Sequence, residues 1–167
     1  MKKLYLIRHA KSSWKNPALR DIDRPLNKRG KHDAPLMGKR LSSYDVLPDA
    51  IISSPARRAL KTARIIAEEL GIARKTIDIR KELYPGEADR LLEMIRSFRD
   101  DDDDVVIVGH NPGFTELANL LADSNIDNIP TCGIFCVEFH TDTWKSVGKG
   151  AGALVFFDYP KKKRMIA

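Results

Sequence analysis

The sequence predicts a three-layer α/β/α domain on a mixed, mostly parallel sheet. Two observations lead there. Short apolar, β-branched runs alternate with stretches of helical period, and the apolar runs are unbroken by polar residues. Strands of that kind lie in sheets covered by helices on both faces, which parallel strand-helix-strand connections produce. At 167 residues the chain suffices for one such domain with a real core. It reads as a single domain over 1–160 and a basic tail over 161–167.

The elements follow in order. Leu4–Ile7 is the first strand. Ala34, Met37, Gly38 and Leu41 form a helical stripe interrupted by Pro35. Either that helix begins near Asp33 or a longer one, following Asn27, kinks at the proline. Ala50–Ile52 is the second strand; Ser54 suits an N-cap and Pro55 the first helical position ahead of a stripe of Ala59, Ala63, Ile66 and Leu70. Thr76–Ile79 is the third strand, followed by Ala88, Leu91, Leu92, Ile95 and Phe98 on one helical face. Asp100–Asp104 lacks the glycine and glutamate of a calcium loop and reads as a solvated turn. Val105–Val108 is the fourth strand, before a helix striped by Phe114, Leu117, Ala118 and Leu121. Ile134–Phe139 and Leu154–Phe157 have no helix between them, so the second is expected to run antiparallel at an edge.

Composition narrows the class. The chain is 43% hydrophobic and 31% charged, as in soluble globular proteins. No apolar run nears the roughly 18 residues of a membrane span, and the N-terminal apolar stretch stops at Arg8, too short for a secretion signal. A cytoplasmic location is expected. On one strand face, Cys132 and Cys136 would stand about 13 Å apart, beyond disulfide reach; no Cys/His ligand set suggests a metal. Of the net charge of +6, Lys161, Lys162, Lys163 and Arg164 supply four, leaving a mildly basic body. "PKKKR" resembles a nuclear localisation signal, although a solvated tail is the better reading; nucleic acid and membrane are disfavoured as partners.

Chemistry gathers where strands end. Arg8 and His9 follow the first strand, "SSPARRA" the second, and "GHNPG", with His110, the fourth. In an open parallel sheet these ends share one edge, where ligands bind. Two helix starts lie at the same edge and favour an anion. Arg57 and Arg58 occupy one helical turn on different sides, so one of them can face the crevice. Guanidinium groups match phosphoryl oxygens, and an imidazole is a good nucleophile near neutral pH. Cationic neighbours should hold His9 neutral. Arg24 in "DRPL" is a rim cation or a surface ion pair. Trp14 either flanks the pocket or packs. His32 and His140 read as structural or surface residues.

"LIRHAKS", "SSPARRALKTA" and "GHNPG" together resemble the histidine phosphatase superfamily, also called the phosphoglycerate mutase-like fold. The "RHAKS" start and "DRPLNKRG" look most like its SixA-type phosphohistidine phosphatases, and the similarity spans roughly residues 3–158. The resemblance implies His9 as nucleophile, with Arg8, Arg58 and His110 as phosphate-binding catalytic residues. It places Ser12 and Asn16 in the loop that lines the substrate pocket. Ala10 stands where the usual glycine follows Arg-His. Mutase-like members carry a glutamate acid after the third strand; Glu82 is nearest in position, Glu87 is close, and neither sits in a convincing motif. SixA-type members are thought to manage without one, and an imidazole leaves far more readily than an alkoxide. The expected reaction is cofactor-free and metal-independent hydrolysis of protein phosphohistidine, for instance on a histidine-phosphotransfer domain, by a monomer. Hydrolysis of small phosphate monoesters and non-catalytic phosphate binding are the alternatives.

Overall fold

A computed structural model describes residues 1–162. The elements are β1 (Lys2–Arg8), α1 (Lys28–Ser43), β2 (Ala50–Ser53), α2 (Arg57–Glu69), β3 (Asp78–Ile79), α3 (Ala88–Arg96), β4 (Asp104–Gly109), α4 (Gly113–Ala122), β5 (Ile134–Phe139) and β6 (Gly152–Asp158). Short 3₁₀ turns lie at Asp21–Asp23, Arg74–Thr76, Lys81–Leu83 and Trp144–Ser146. The strands form one sheet ordered β3-β2-β4-β1-β5-β6. The first four in that order are parallel, while β5 runs antiparallel to both β1 and β6.

Two cores follow from strand alternation. Leu4 and Leu6 of β1 pack with Leu91, Ile95, Phe114 and Leu117 of α3 and α4 on one face. Tyr5 and Ile7 pack with Met37, Leu41, Ala63 and Ile66 of α1 and α2 on the other. The sheet is therefore the middle of three layers. No helix among the described residues is long and apolar enough to cross a membrane.

Register creates the functional edge. Arg8 pairs with Gly109 in the parallel β1–β4 ladder, so the next residues, His9 and His110, emerge side by side. The ladder continues one step, with His9 N donating to the Gly109 carbonyl at 2.9 Å. On the other side of β4, Ser53 pairs with Val108 and Ser54 N donates to the Val108 carbonyl at 3.0 Å. Three strand ends thus stop at one level.

Several local expectations are corrected. α1 takes the longer form: Asn27 Oδ1 accepts from Gly30 N at 2.8 Å, and Pro35 is accommodated inside the helix. β3 shrinks to Asp78–Ile79 because Arg74–Thr76 coils into a 3₁₀ turn, closed by Thr76 Oγ1 donating to the Ala73 carbonyl at 2.7 Å. Ser54 is not an N-cap and Pro55 is not the first helical residue, since α2 starts at Arg57 after an Ala56 cap. Cys132 precedes β5 at φ 60° rather than lying on it; both cysteines are buried and free. The aspartate run is a turn, as expected, and it also anchors a cation: Asp103 Oδ1 accepts from the buried Lys2 Nζ at 2.7 Å. Of the tail, Lys163 and Arg164 lie outside the described residues.

Glycines permit the close approaches behind this edge. A Cβ on Gly109 would stand 2.6 Å from the Phe114 ring, and one on Gly113 would stand 1.8 Å from the Gly86 carbonyl oxygen. The second contact packs the start of α4 against the loop that carries Tyr84. Gly113→Ala is expected to cost about 1–3 kcal/mol, since the contact is backbone and cannot yield. Urea unfolding measures this; an unchanged midpoint would show that the two loops move independently.

Candidate active site

His9 is the centre of the edge. It is buried, 8% exposed. Its Nδ1 lies 2.7 Å from the Ala10 carbonyl oxygen. A carbonyl only accepts, so Nδ1 carries the ring proton and Nε2 keeps its lone pair. The Ala10 peptide is itself fixed. Its N–H donates to Thr62 Oγ1 at 3.0 Å, and that hydroxyl donates to the Arg58 carbonyl at 2.8 Å within α2. The lone pair on Nε2 meets Arg58, whose Nε donates to it at 3.4 Å.

Arg58 is buried at the start of α2 and clamped by the 3₁₀ turn over it. Its two terminal nitrogens donate to the Asp21 carbonyl at 2.6 Å and to Asp21 Oδ2 at 3.0 Å. Asp21 also accepts from Arg24 at 2.9 Å and from the Tyr84 hydroxyl at 2.7 Å. Burial opposes the charged carboxylate, but these three donors prevail and hold its pKa at about 2. Arg24, also buried, reaches Ser12 Oγ and donates from Nε to the Ser13 carbonyl at 3.1 Å.

His110 stands with its ring centre 5.1 Å from that of His9 and 5.3 Å from that of Tyr84. Its Nε2 lies 2.7 Å from Ser54 Oγ. That oxygen also accepts from Ala56 N at 3.1 Å, and its second lone pair and its proton allow it either to accept from His110 Nε2 or to donate to it. His110 Nδ1 is buried without a protein partner. Arg8 repeats the pattern: one terminal nitrogen donates to the Ile129 carbonyl at 2.9 Å, while its buried Nε has no protein partner. A buried donor left unpaired costs about 1–3 kcal/mol. An anionic oxygen accepting from Arg8 Nε would remove that penalty.

The electrostatics agree. Burial, reinforced by Arg58, Arg8 and Arg24, lowers the His9 pKa to about 4 despite the opposing bond to Ala10. Burial, with His9 and Arg58 next in effect, lowers His110 to about 3. Both imidazoles are neutral near pH 7, as a nucleophile must be. Burial comes first, ahead of the cationic neighbours that the sequence alone had offered as the cause.

The structure thus brings Arg8, His9, Arg58 and His110 together, with Arg24 and Ser12 joined to them through Asp21. Asn16 is exposed and accepts from Ala18 N at 3.1 Å. Glu82 makes no hydrogen bond to them; its segment reaches the site through Tyr84 instead. Arg57 is exposed. Asp21, Tyr84 and Ser54 are contributors that motif reading missed. The "DIDR" spacing puts Asp21 and Arg24 three residues apart, where a 3₁₀ turn aligns them; Tyr84 has no comparable signal. Among the described residues no group of three His, Cys, Asp or Glu side chains is placed to hold a metal.

The sequence model of the histidine phosphatase superfamily (branch 1) matches residues 4–97, more than half of the chain. The chain belongs to the histidine phosphatase superfamily. An uncharacterised Mycobacterium tuberculosis protein is 31% identical over 93% of this chain and 100% of its own length. An uncharacterised chloroplast protein of Arabidopsis thaliana is 32% identical over 86% of this chain and 69% of its own. A structure from Agrobacterium tumefaciens, provisionally assigned as a phosphohistidine phosphatase SixA, superposes with a TM-score of 0.80 at 26% identity, over 95% of this chain and 98% of that one. The protein histidine phosphatase SixA in complex with tungstate shares the fold, with a TM-score of 0.80 at 20% identity over 95% and 97% of the two chains. These findings, with the family, support a phosphatase.

The depressed imidazole pKa values set an expected pH profile. With substrate ionisation corrected for, kcat/KM should hold on the acid side down to about pH 4, where His9 takes up a proton. An acid limb near the ordinary imidazole value of about 6.5 would contradict it. Between those values the unfolded chain binds more protons than the folded one. Stability should therefore fall as the pH drops from about 6.5 towards 4.

Proposed function

We propose that this protein hydrolyses phosphohistidine borne by a protein, through a phosphorylated His9. His9 Nε2 attacks phosphorus in line while the P–N bond of the substrate breaks. The electron pair leaves on the substrate imidazole, which departs neutral when its other ring nitrogen carries a proton. Arg8, Arg58 and His110 donate to the phosphoryl oxygens as charge shifts onto them. The phosphorylated His9 ring keeps its Nδ1 proton, and the Ala10 carbonyl stabilises the resulting positive ring. Water then attacks phosphorus, the bond to Nε2 breaks, and inorganic phosphate leaves with the water's proton. His9 returns in its starting tautomer. The arginines supply the positive charge, so no metal ion is required.

The observation that carries the choice of substrate is Asp21. It is the carboxylate hydrogen-bonded into the site, and at a pKa of about 2 it is ionised and cannot protonate a leaving group. An alcohol leaving group needs that proton in the transition state, whereas a protonated phosphohistidine brings its own. The likeness to SixA structures points the same way. Hydrolysis of small phosphate monoesters is the second reading. It is favoured by 39% identity over 97 residues to phosphoserine phosphatase 1 of Hydrogenobacter thermophilus, a match covering 56% of this chain and 39% of that protein.

Brief exposure to a radiolabelled phosphohistidine protein should leave acid-labile label on the native chain and none on His9→Ala, whose turnover drops by several orders of magnitude. Equal labelling of the two would remove His9 as nucleophile. Faster turnover of monoesters than of phosphohistidine would favour the second reading.

A further inference from the structure

Trp14 is 77% exposed, an unusual state for the largest side chain. One face of its indole is covered by the Arg24 guanidinium, 3.2 Å from the ring centre. Arg24 binds Asp21, Asp21 binds Arg58, and Arg58 reaches His9. Trp14 is therefore the outer end of a chain of contacts that begins at the nucleophile, and its free face looks onto solvent beside the pocket.

The surface next to Trp14 is cationic. Ser12 bridges to Leu26, Ser13 N donates to the Pro25 carbonyl at 2.8 Å, and Asn27 N to the Lys11 carbonyl at 3.0 Å. These bonds fold the segment after His9 back onto the start of α1. A shallow depression there is lined by Ser13, Lys15, Leu26, Lys28, Arg29 and Lys31. Residues 11–31 hold seven Lys or Arg against two Asp, a net +5 in a chain whose total is +6. Both aspartates are engaged, Asp21 as described and Asp23 by Arg20 at 2.9 Å. Arg29 pairs with Asp33 at 3.1 Å. Lys11, Lys15, Lys28 and Lys31 are exposed, and none has an acidic partner among the described residues.

We propose that this face, Trp14 with Lys15, Lys28 and Lys31, docks an acidic protein segment around the substrate phosphohistidine. The proposal rests on the reading that the substrate is protein-borne. Clustered unpaired lysines raise the local potential, speed the encounter with an acidic partner and set its orientation. An exposed tryptophan with a rigid backing is a suitable anchor, since burying its free face is favourable and little side-chain freedom remains to be lost. Nucleic acid is a poorer fit, because single strands stack on successive aromatic platforms and Trp14 offers one, already half covered.

Two twelve-residue peptides test this, each with one central phosphohistidine, flanked by glutamates in one and by lysines in the other. At an ionic strength of about 50 mM the native protein should prefer the acidic peptide by about tenfold or more in kcat/KM, and the preference should collapse at about 0.5 M salt. The Lys15→Glu/Lys28→Glu/Lys31→Glu variant should reverse the preference while turnover of p-nitrophenyl phosphate stays at the native rate. Equal turnover of both peptides by the native chain would overturn the docking proposal and leave the phosphohistidine reading standing. Failure on both peptides with p-nitrophenyl phosphate still cleaved would overturn that reading, and the docking surface with it. A variant that loses affinity for a single-stranded oligonucleotide while its peptide preference is unmoved would make the face a nucleic-acid surface and refute the proposal.

Discussion

The 2.7 Å bond from His9 Nδ1 to its neighbour's carbonyl is the interaction on which the site depends. It decides which nitrogen bears the proton, and so which nitrogen keeps its lone pair. The bond is short-range in sequence but long-range in its support. The Ala10 peptide is held by Thr62, one turn of α2 beyond Arg58, so the tautomer of His9 and the position of its guanidinium partner are set by the same helix. Ala10 itself is fully buried beneath them. Any shift of α2 against β1 would disturb both at once.

Around this bond the charges are arranged in tension. Three arginines crowd two neutral imidazoles, and burial keeps those imidazoles from accepting protons that would add to the repulsion. Asp21 relieves part of the load, and its grip leaves Arg58 with Nε directed at His9. A dianionic phosphoryl group would complete the balance, since the His110 ring lies 5.1 Å from that of His9 and the buried Arg8 Nε has no protein partner. Asp21, surrounded by donors to its ionised form, gives up its proton far below neutral pH.

The layer order and the edge could be read from the chain because both rest on repeating patterns. Unbroken strands in β1 and β4 and striped helices fix the layers, and the strand ends then bring Arg8, His9, Arg58 and His110 together across a hundred positions. Sequence pattern failed where a single hydrogen bond outweighed propensity. Thr76 turned a β-branched stretch into a 3₁₀ turn, and the Ser54 hydroxyl pairs with His110 Nε2 instead of capping a helix. Asp21 and Tyr84 carry no periodic signature, and their role arises only when two loops 63 residues apart meet.

The most direct test of the central claim is the tautomer of His9 itself. Nitrogen-15 spectra of the histidine rings at pH 7, assigned by comparison with His9→Gln, should show His9 Nδ1 protonated and Nε2 bare. A proton on Nε2, or a charged ring at that pH, would mean that the lone pair is not available to attack phosphorus and would contradict the mechanism at its first step.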